Sequence, residues 1–264
     1  LTDRHIAGRS SRTLFLSDLH LGALGSRSDR LLWFLERHEA ETYVLAGDVL
    51  DLWRPLLPHW TDADQAVVDL LNARAARGAR VVIVPGNHDP DPTRAPLHAR
   101  LDGEIVRRYV HHSARGQKYL VVHGDEVDTR LVRNHLMTRL GSLADHTLRR
   151  MDDVARLWRR RSQGEVRTAI EALLVWINAR VYAGHDHERR LVEVARAEGM
   201  DGVICGHFHI PGLHDLHGLT YANCGDWVDS CTAIHECHDG ALHLLTVGRH
   251  GEPAWVPAPV LAGT

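Results

Sequence analysis

The 264-residue chain sets 31 Lys+Arg against 34 Asp+Glu, a net charge of −3 with its 21 His neutral, so no bulk charge draws it to nucleic acid or a membrane surface. With 44% hydrophobic residues it can bury a substantial core, which excludes disorder, collagen and coiled coil. Its longest apolar runs fall far short of the roughly 18 residues that cross a bilayer.

Residues 1–12 are polar and contain Arg, without the apolar segment of a secretory signal, so the expected location is cytoplasmic. Run 13–17 then ends in Asp18-Leu19-His20. A helical pattern at 31–38 leads to run 43–46, which ends in Gly47-Asp48. A second helical pattern, 62–77, places Ala66, Val67, Leu70 and Leu71 on one face and stops at Gly78. Run 81–84 ends in Pro85-Gly86-Asn87-His88-Asp89, run 119–122 in His123-Gly124-Asp125, and run 203–205 in Gly206-His207-Phe208-His209. Strands alternating with helices predict a wound α/β sheet with functional groups at the strand ends. After Cys205, short runs at 219–222, 230–235 and 241–246, with an Asp239-Gly240 turn, predict a second and more antiparallel sheet.

Residues 128–196 read as helical throughout, an insertion dividing a core of 1–127 and 197–264. Val132, Leu136, Leu140 and Leu143 fall on one helical face; Ile170, Leu173, Leu174, Ile177 and Val181 fall on another. Residues 130–167 hold ten Arg against Asp145, Asp152, Asp153 and Glu165. A solvated helix face accounts for that basic stretch, as does a site for an anionic substrate or an anionic membrane. The four cysteines form no Cys-x-x-Cys pair and read as reduced, buried thiols.

The strand-end clusters supply Asp, His, Asp, Asn and then three His, with no thiolate. That donor set suits a pair of Mn, Fe, Zn or Mg ions. Two such ions about 3.5–4 Å apart, sharing a carboxylate, activate water for in-line attack at phosphorus. Each cluster is weak alone, since Asp18-x-His20 is a common chance pair. Five in order, each just after a strand, leave little room for coincidence.

Asp18-x-His20, Gly47-Asp48-x-x-Asp51, Gly86-Asn87-His88-Asp89, His123-Gly124-Asp125 and Gly206-His207-x-His209 together resemble the calcineurin-like metallophosphoesterases. The resemblance implies a four-layer α/β/β/α sandwich with a helical lid insertion and a dinuclear centre. Asp18, His20, Asp48 and His209 would hold one ion. Asp48, Asn87, His123 and His207 would hold the other, with Asp48 shared and manganese the implied metal. His88 would donate a proton or stabilise charge at the phosphate, and Asp51 would orient it; an imidazole that binds no metal can protonate a leaving oxygen near neutral pH.

Within that family, Ser17-Asp18-Leu19-His20-Leu21-Gly22, Gly47-Asp48-Val49-Leu50-Asp51-Leu52-Trp53 and the segment 221–233 resemble the UDP-2,3-diacylglucosamine pyrophosphatase group of lipid A biosynthesis. His88 departs from the best-known branch, which has Arg there, and is similar to a second branch that keeps His. The resemblance implies hydrolysis of UDP-2,3-diacylglucosamine to UMP and 2,3-diacylglucosamine 1-phosphate, by a peripheral protein at the inner face of a bacterial membrane. Apolar faces of the insertion could shelter acyl chains, and Arg54 could reach phosphate. Trp53 and Trp60 either border the site or pack in the core. A general phosphodiesterase or nuclease would share every ligand, although no stable nucleic-acid partner is expected. A non-catalytic scaffold would have lost ligands, and none is lost.

Overall fold

Three of the predicted runs become neighbouring parallel strands, β1 (Arg9–Leu16), β2 (His38–Leu45) and β3 (Arg80–Ile83). The computed structural model describes residues 9–52, 59–91, 95–127, 186–247 and 253–255. The C-terminal parts of these strands, residues 14–16, 43–45 and 81–83, are apolar on both faces because both faces are covered there. Leu14, Leu16, Tyr43 and Leu45 point to one side, while Phe15, Val44 and Val82 point to the other.

The first side is covered by α1 (Ser28–Arg37) and α2 (Asp62–Ala76), which bury Leu31, Phe34, Leu35, Val67, Val68 and Leu71. The buried face of α2 is turned from the predicted one: Val68 is buried, whereas Ala66 and Leu70 are half-buried. Thr61 starts α2 with a capping box, its Oγ1 accepting from the Asp64 N–H at 3.2 Å and its own N–H donating to Asp64 Oδ2 at 2.7 Å. Gly78 ends the helix in the left-handed region, φ +99°. His38, expected in α1, opens β2 instead.

The second side meets another sheet. It contains β5 (Tyr109–His112), β6 (Lys118–Val121), β7 (Gly202–Cys205), β8 (Gly212–His214) and β9 (Thr220–Asn223), in the order β5-β6-β7-β9-β8. Tyr119, Val121, Ile204 and Ala222 of this sheet pack against Phe15, Val44 and Val82. Its outer face is covered by α3 (Asp186–Ala197), whose Leu191, Val192 and Ala195 pack on Leu120, Val203, Cys205 and Tyr221. The layers therefore run helix, sheet, sheet, helix, with three apolar seams.

The expected second sheet needs correcting. Of the strands after Cys205, β10 (Thr232–Glu236), β11 (Leu242–Val247) and β12 (Pro253–Trp255) extend the first sheet antiparallel from β1, and β9 lies parallel to β7. The first sheet, completed by β4 (Glu104–Ile105), has the order β12-β11-β10-β1-β2-β3-β4. Alternating polarity reports that a strand is half-covered; it does not report which sheet the strand joins. The parallel strands β1, β2 and β3 end on one rim, and β6, β7 and β9 likewise end together.

Residues 128–185 of the expected insertion, with its two apolar faces and its Arg cluster, lie outside the described residues, as do Trp53 and Arg54. α3, at the end of the stretch assigned to the insertion, packs on the second sheet. Trp60 packs against the first apolar seam and donates to Gln65 Oε1 at 3.1 Å. Among the described residues no helix is long and apolar enough to cross a membrane. Cys205, Cys224 and Cys231 are buried free thiols, and Cys237 is half-buried.

Candidate metal centre

Where β1, β2, β6 and β7 end, the chain turns sharply and delivers a polar side chain at each turn. Among the described residues, six non-glycine residues have φ in the left-handed region, and five of them are Asp18, His20, Asp48, His207 and His209. Such a backbone costs of order 1–3 kcal/mol per residue and persists where the surroundings over-determine it. The turns cross-brace one another: Asp18 N–H donates to Gly47 O, and His20 N–H to Asp48 O, each at 2.9 Å.

Asp18, buried at 0% exposure, lies 3.1 Å from His209 Nε2 and 3.9 Å from His20 Nε2, both through Oδ1. Its other oxygen accepts from Ser17 Oγ at 2.5 Å and from the His207 N–H at 2.9 Å. Asp48 Oδ2 is 3.3 Å from His123 Nε2 and 4.0 Å from His20 Nε2, while Oδ1 accepts the His88 N–H at 2.7 Å. Asn87 Oδ1 is 3.2 Å from His123 Nε2. His123 Nδ1 donates to Ala46 O at 2.9 Å, which turns Nε2 and its lone pair toward Asp48 and Asn87.

Ligand atoms of Asp18, His20 and His209 lie within 4.8 Å of one another, and so do those of Asp48, His123 and His207. All seven residues read as ligands from the strand ends therefore meet in this region, with Asp48 next to both groups through His20 and His123. The residues fit divalent cations on a second count. His20 Nε2 is buried with no hydrogen-bond partner among the described residues, an arrangement that is costly unless a cation completes it.

Electrostatics agree with that fit. Burial raises the carboxylates, but His209 more than offsets this at Asp18 and brings it down to about 2. At Asp48 burial is likewise outweighed by His123, His88 and His20, so the carboxyl stays well below its ordinary range. Burial disfavours the His209 cation, yet Asp18 and Asp226 push its pKa up to about 10. Carboxylates held ionised beside imidazoles held protonated make a pocket in which a divalent cation can replace protons.

Asp51 sits behind this pocket. Its Oδ2 is 3.4 Å from His88 Nδ1 and 3.5 Å from His20 Nδ1, so one oxygen faces both rings. Burial opposes the charge, but these two imidazoles hold the carboxyl far below its usual range. His88 is correspondingly raised: burial lowers it, and Asp51 and Asp48 more than compensate.

Close approach explains two glycines. A Cβ at Gly86 would collide with Asp48 Oδ1, and one at Gly206 would collide with Ser17 Oγ and Asp18 Oδ2. Only glycine lets these loops pass the carboxylates so closely.

Sequence reasoning missed the residues that brace the ligands. Asp226, fully buried, places Oδ2 3.8 Å from His209 Nδ1 while Oδ1 caps the turn through the Val228 and Ser230 N–H groups at 2.8 and 3.2 Å. Asp89 ties two loops together, accepting from Leu50 and Gly86 N–H at 2.8 Å each. Burial and the Asp48 charge raise Asp89 to about 6. Asn223 Nδ2 donates to Gly206 O at 3.1 Å. A usable signal existed for Asp226: Gly225-Asp226 follows β9 as Gly47-Asp48 follows β2.

A sequence profile described as calcineurin-like phosphoesterase matches residues 11–211. A UDP-2,3-diacylglucosamine hydrolase from Xanthomonas campestris pv. campestris is 26% identical over 266 aligned positions, covering 89% of this chain and 99% of that protein. Among solved structures, the phosphoesterase Yfce from E. coli superposes with a TM-score of 0.47 at 17% identity, covering 92% of this chain and 97% of that one. Vacuolar Protein Sorting 29 from Cryptosporidium parvum gives 0.45 at 14% identity, covering 92% and 94%. With the profile spanning most of the chain and every one of its strand-end turns up to β7, the chain belongs to the calcineurin-like phosphoesterase family.

Proposed function

We propose that the chain is a dinuclear hydrolase that cleaves the pyrophosphate of UDP-2,3-diacylglucosamine, releasing UMP and 2,3-diacylglucosamine 1-phosphate. The observation that carries the metal-dependent part is the position of Asp48 Oδ2, 3.3 Å from His123 and 4.0 Å from His20. The lipid substrate rests on the near full-length similarity to the Xanthomonas hydrolase and on the motif resemblance.

Asp18, His20, Asp48 and His209 would hold one ion, and Asp48, Asn87, His123 and His207 the other. The donors are oxygen and imidazole, which suits Mn and equally admits Fe, Zn or Mg; Mn is the proposed occupant. Bound there, the ions supply Lewis-acid polarisation of the phosphoryl oxygens and an activated water. His88 binds no ion in this scheme. Asp51 fixes its Nδ1, which leaves Nε2 to protonate the leaving phosphate oxygen. Arg54 is proposed to contact phosphate, and the insertion at 128–185 to shelter acyl chains at a membrane's inner face. These two assignments rest on sequence pattern.

The test compares turnover of UDP-2,3-diacylglucosamine with that of a cyclic nucleotide, single-stranded DNA and an aryl phosphodiester. Preference for the nucleotide-linked lipid by at least about tenfold in kcat/KM, or 1.4 kcal/mol in transition-state binding, supports this reading. Equal turnover of all four makes the protein a general phosphodiesterase, and preference for DNA makes it a nuclease.

A further inference from the structure

A second group of metal-ligating side chains lies at the other end of the first sheet. His235 on β10 and His243 on β11 are directly opposed in the hairpin register. Cys237 lies two residues beyond His235, which puts it on the same face of the pleat. The hairpin is closed by the Cys237 N–H donating to Ala241 O and the Gly240 N–H donating to Cys237 O, both at 2.9 Å. That turn holds Cys237 beside the histidine pair. Ligand atoms of the three residues come within 4.8 Å of one another; His235 Nε2 is 4.0 Å from Cys237 Sγ, and the two imidazole centroids are 5.2 Å apart.

Two further features match a metal site. Ser11 Oγ lies 3.3 Å from His235 Nδ1, so the hydroxyl can accept the Nδ1 proton and leave the Nε2 lone pair facing the thiol, the arrangement usual behind a ligating histidine. A tetrahedral zinc with Zn–N near 2.0 and Zn–S near 2.3 Å spans about 3.6 Å between nitrogen and sulfur. The 4.0 Å separation therefore closes with a shift of a few tenths of an ångström. Cys237 and His243 are half-buried, so solvent can reach the group.

This group is separate from the candidate dinuclear centre. His235 pairs with Leu14 of β1, three residues before Ser17 and about 10 Å from it at the rise of an extended strand, and Cys237 lies two residues further on, away from that rim. The donors differ too, since the strand-end centre has no thiolate among its seven residues.

We infer that His235, Cys237 and His243 form a second metal site that binds a single borderline-soft divalent cation of the zinc type, with a water in the fourth position. Binding requires the thiolate, so the Cys237 proton is released to solvent as the sulfur–metal bond forms. Bound there, the ion would cross-link β10 to β11 next to the hairpin turn.

The thiolate makes the site visible apart from catalysis. In reduced full-length protein titrated with cobalt(II), the wild type should develop a thiolate-to-cobalt charge-transfer absorption in the near ultraviolet. Cys237→Ser should lack that band while still hydrolysing an aryl phosphodiester, which shows that it is folded. His243→Gln should raise the cobalt concentration for half-development of the band by about tenfold or more. No band in the wild type at saturating cobalt overturns the site, as does a band of undiminished intensity in folded Cys237→Ser. The band does not depend on the substrate, so its outcome is distinguishable from failure of the proposed lipid hydrolysis.

Discussion

Asp51 Oδ2 faces His88 Nδ1 at 3.4 Å, while the His88 backbone N–H donates to Asp48 at 2.7 Å. His88 is thus held from both ends, at its ring by Asp51 and at its backbone by Asp48. His88→Ala should keep both ions and lose roughly 10²–10⁴-fold in kcat, the usual range for acid–base help. The loss should shrink for leaving groups that need no proton. Elemental analysis alongside turnover of two aryl phosphodiesters, one activated and one not, checks this; loss of metal would make His88 a ligand. Asp51→Asn should lower kcat in the same direction while retaining metal.

Asp226 acts on the centre through His209. Asp226→Asn keeps the Oδ1 acceptor that caps the turn but removes the charge 3.8 Å from His209 Nδ1. Affinity for the metal at Asp18 and His209 should fall about 10–100-fold with the melting temperature of the metal-free protein little changed. Competition against a chelator measures the affinity. An unchanged affinity would reduce Asp226 to a turn cap.

What was legible in the sequence and what was not divide along a physical line. Run 13–17 and run 43–46 could be read because a strand buried on both faces must be continuously apolar, and the polar residues that follow it must then lie on the rim. The seven strand-end residues came from that logic, and the structure brings them together on one rim. The sheet membership of β9 and β10 was not legible, because pairing partners are set by the whole topology. Asp226 was hidden for the same reason: its neighbour His209 is near only because β7 and β9 are parallel. The edge strands β4 and β8, two and three residues long, are too short to carry a periodic signal.

Acid stability offers a test away from the centre. Glu236 accepts from Arg12 Nη1 at 2.7 and 2.8 Å, from the Ala114 N–H at 2.7 Å, and lies 2.8 Å from His111 Nε2. Burial would raise its pKa, but His111, the Ala114 N–H and Arg12 bring it from 4.5 down to about 2. The folded value is below the unfolded one, so the stabilisation is fully present above about pH 4.5 and is lost as pH falls toward 2. Glu236→Gln should cost about 2 kcal/mol at neutral pH and flatten the fall in stability across that acid window. Urea denaturation at several pH values measures both. An unchanged slope would contradict the assignment.

One carboxylate, Asp48, is proposed to serve two metal ions, lying 3.3 Å from His123 and 4.0 Å from His20. Metal content of purified, metal-saturated Asp48→Ala, measured by elemental analysis beside its turnover of an aryl phosphodiester, tests it most directly. The variant should be a folded protein with at most one ion in place of two and no measurable hydrolysis. Two ions retained with normal turnover would contradict it.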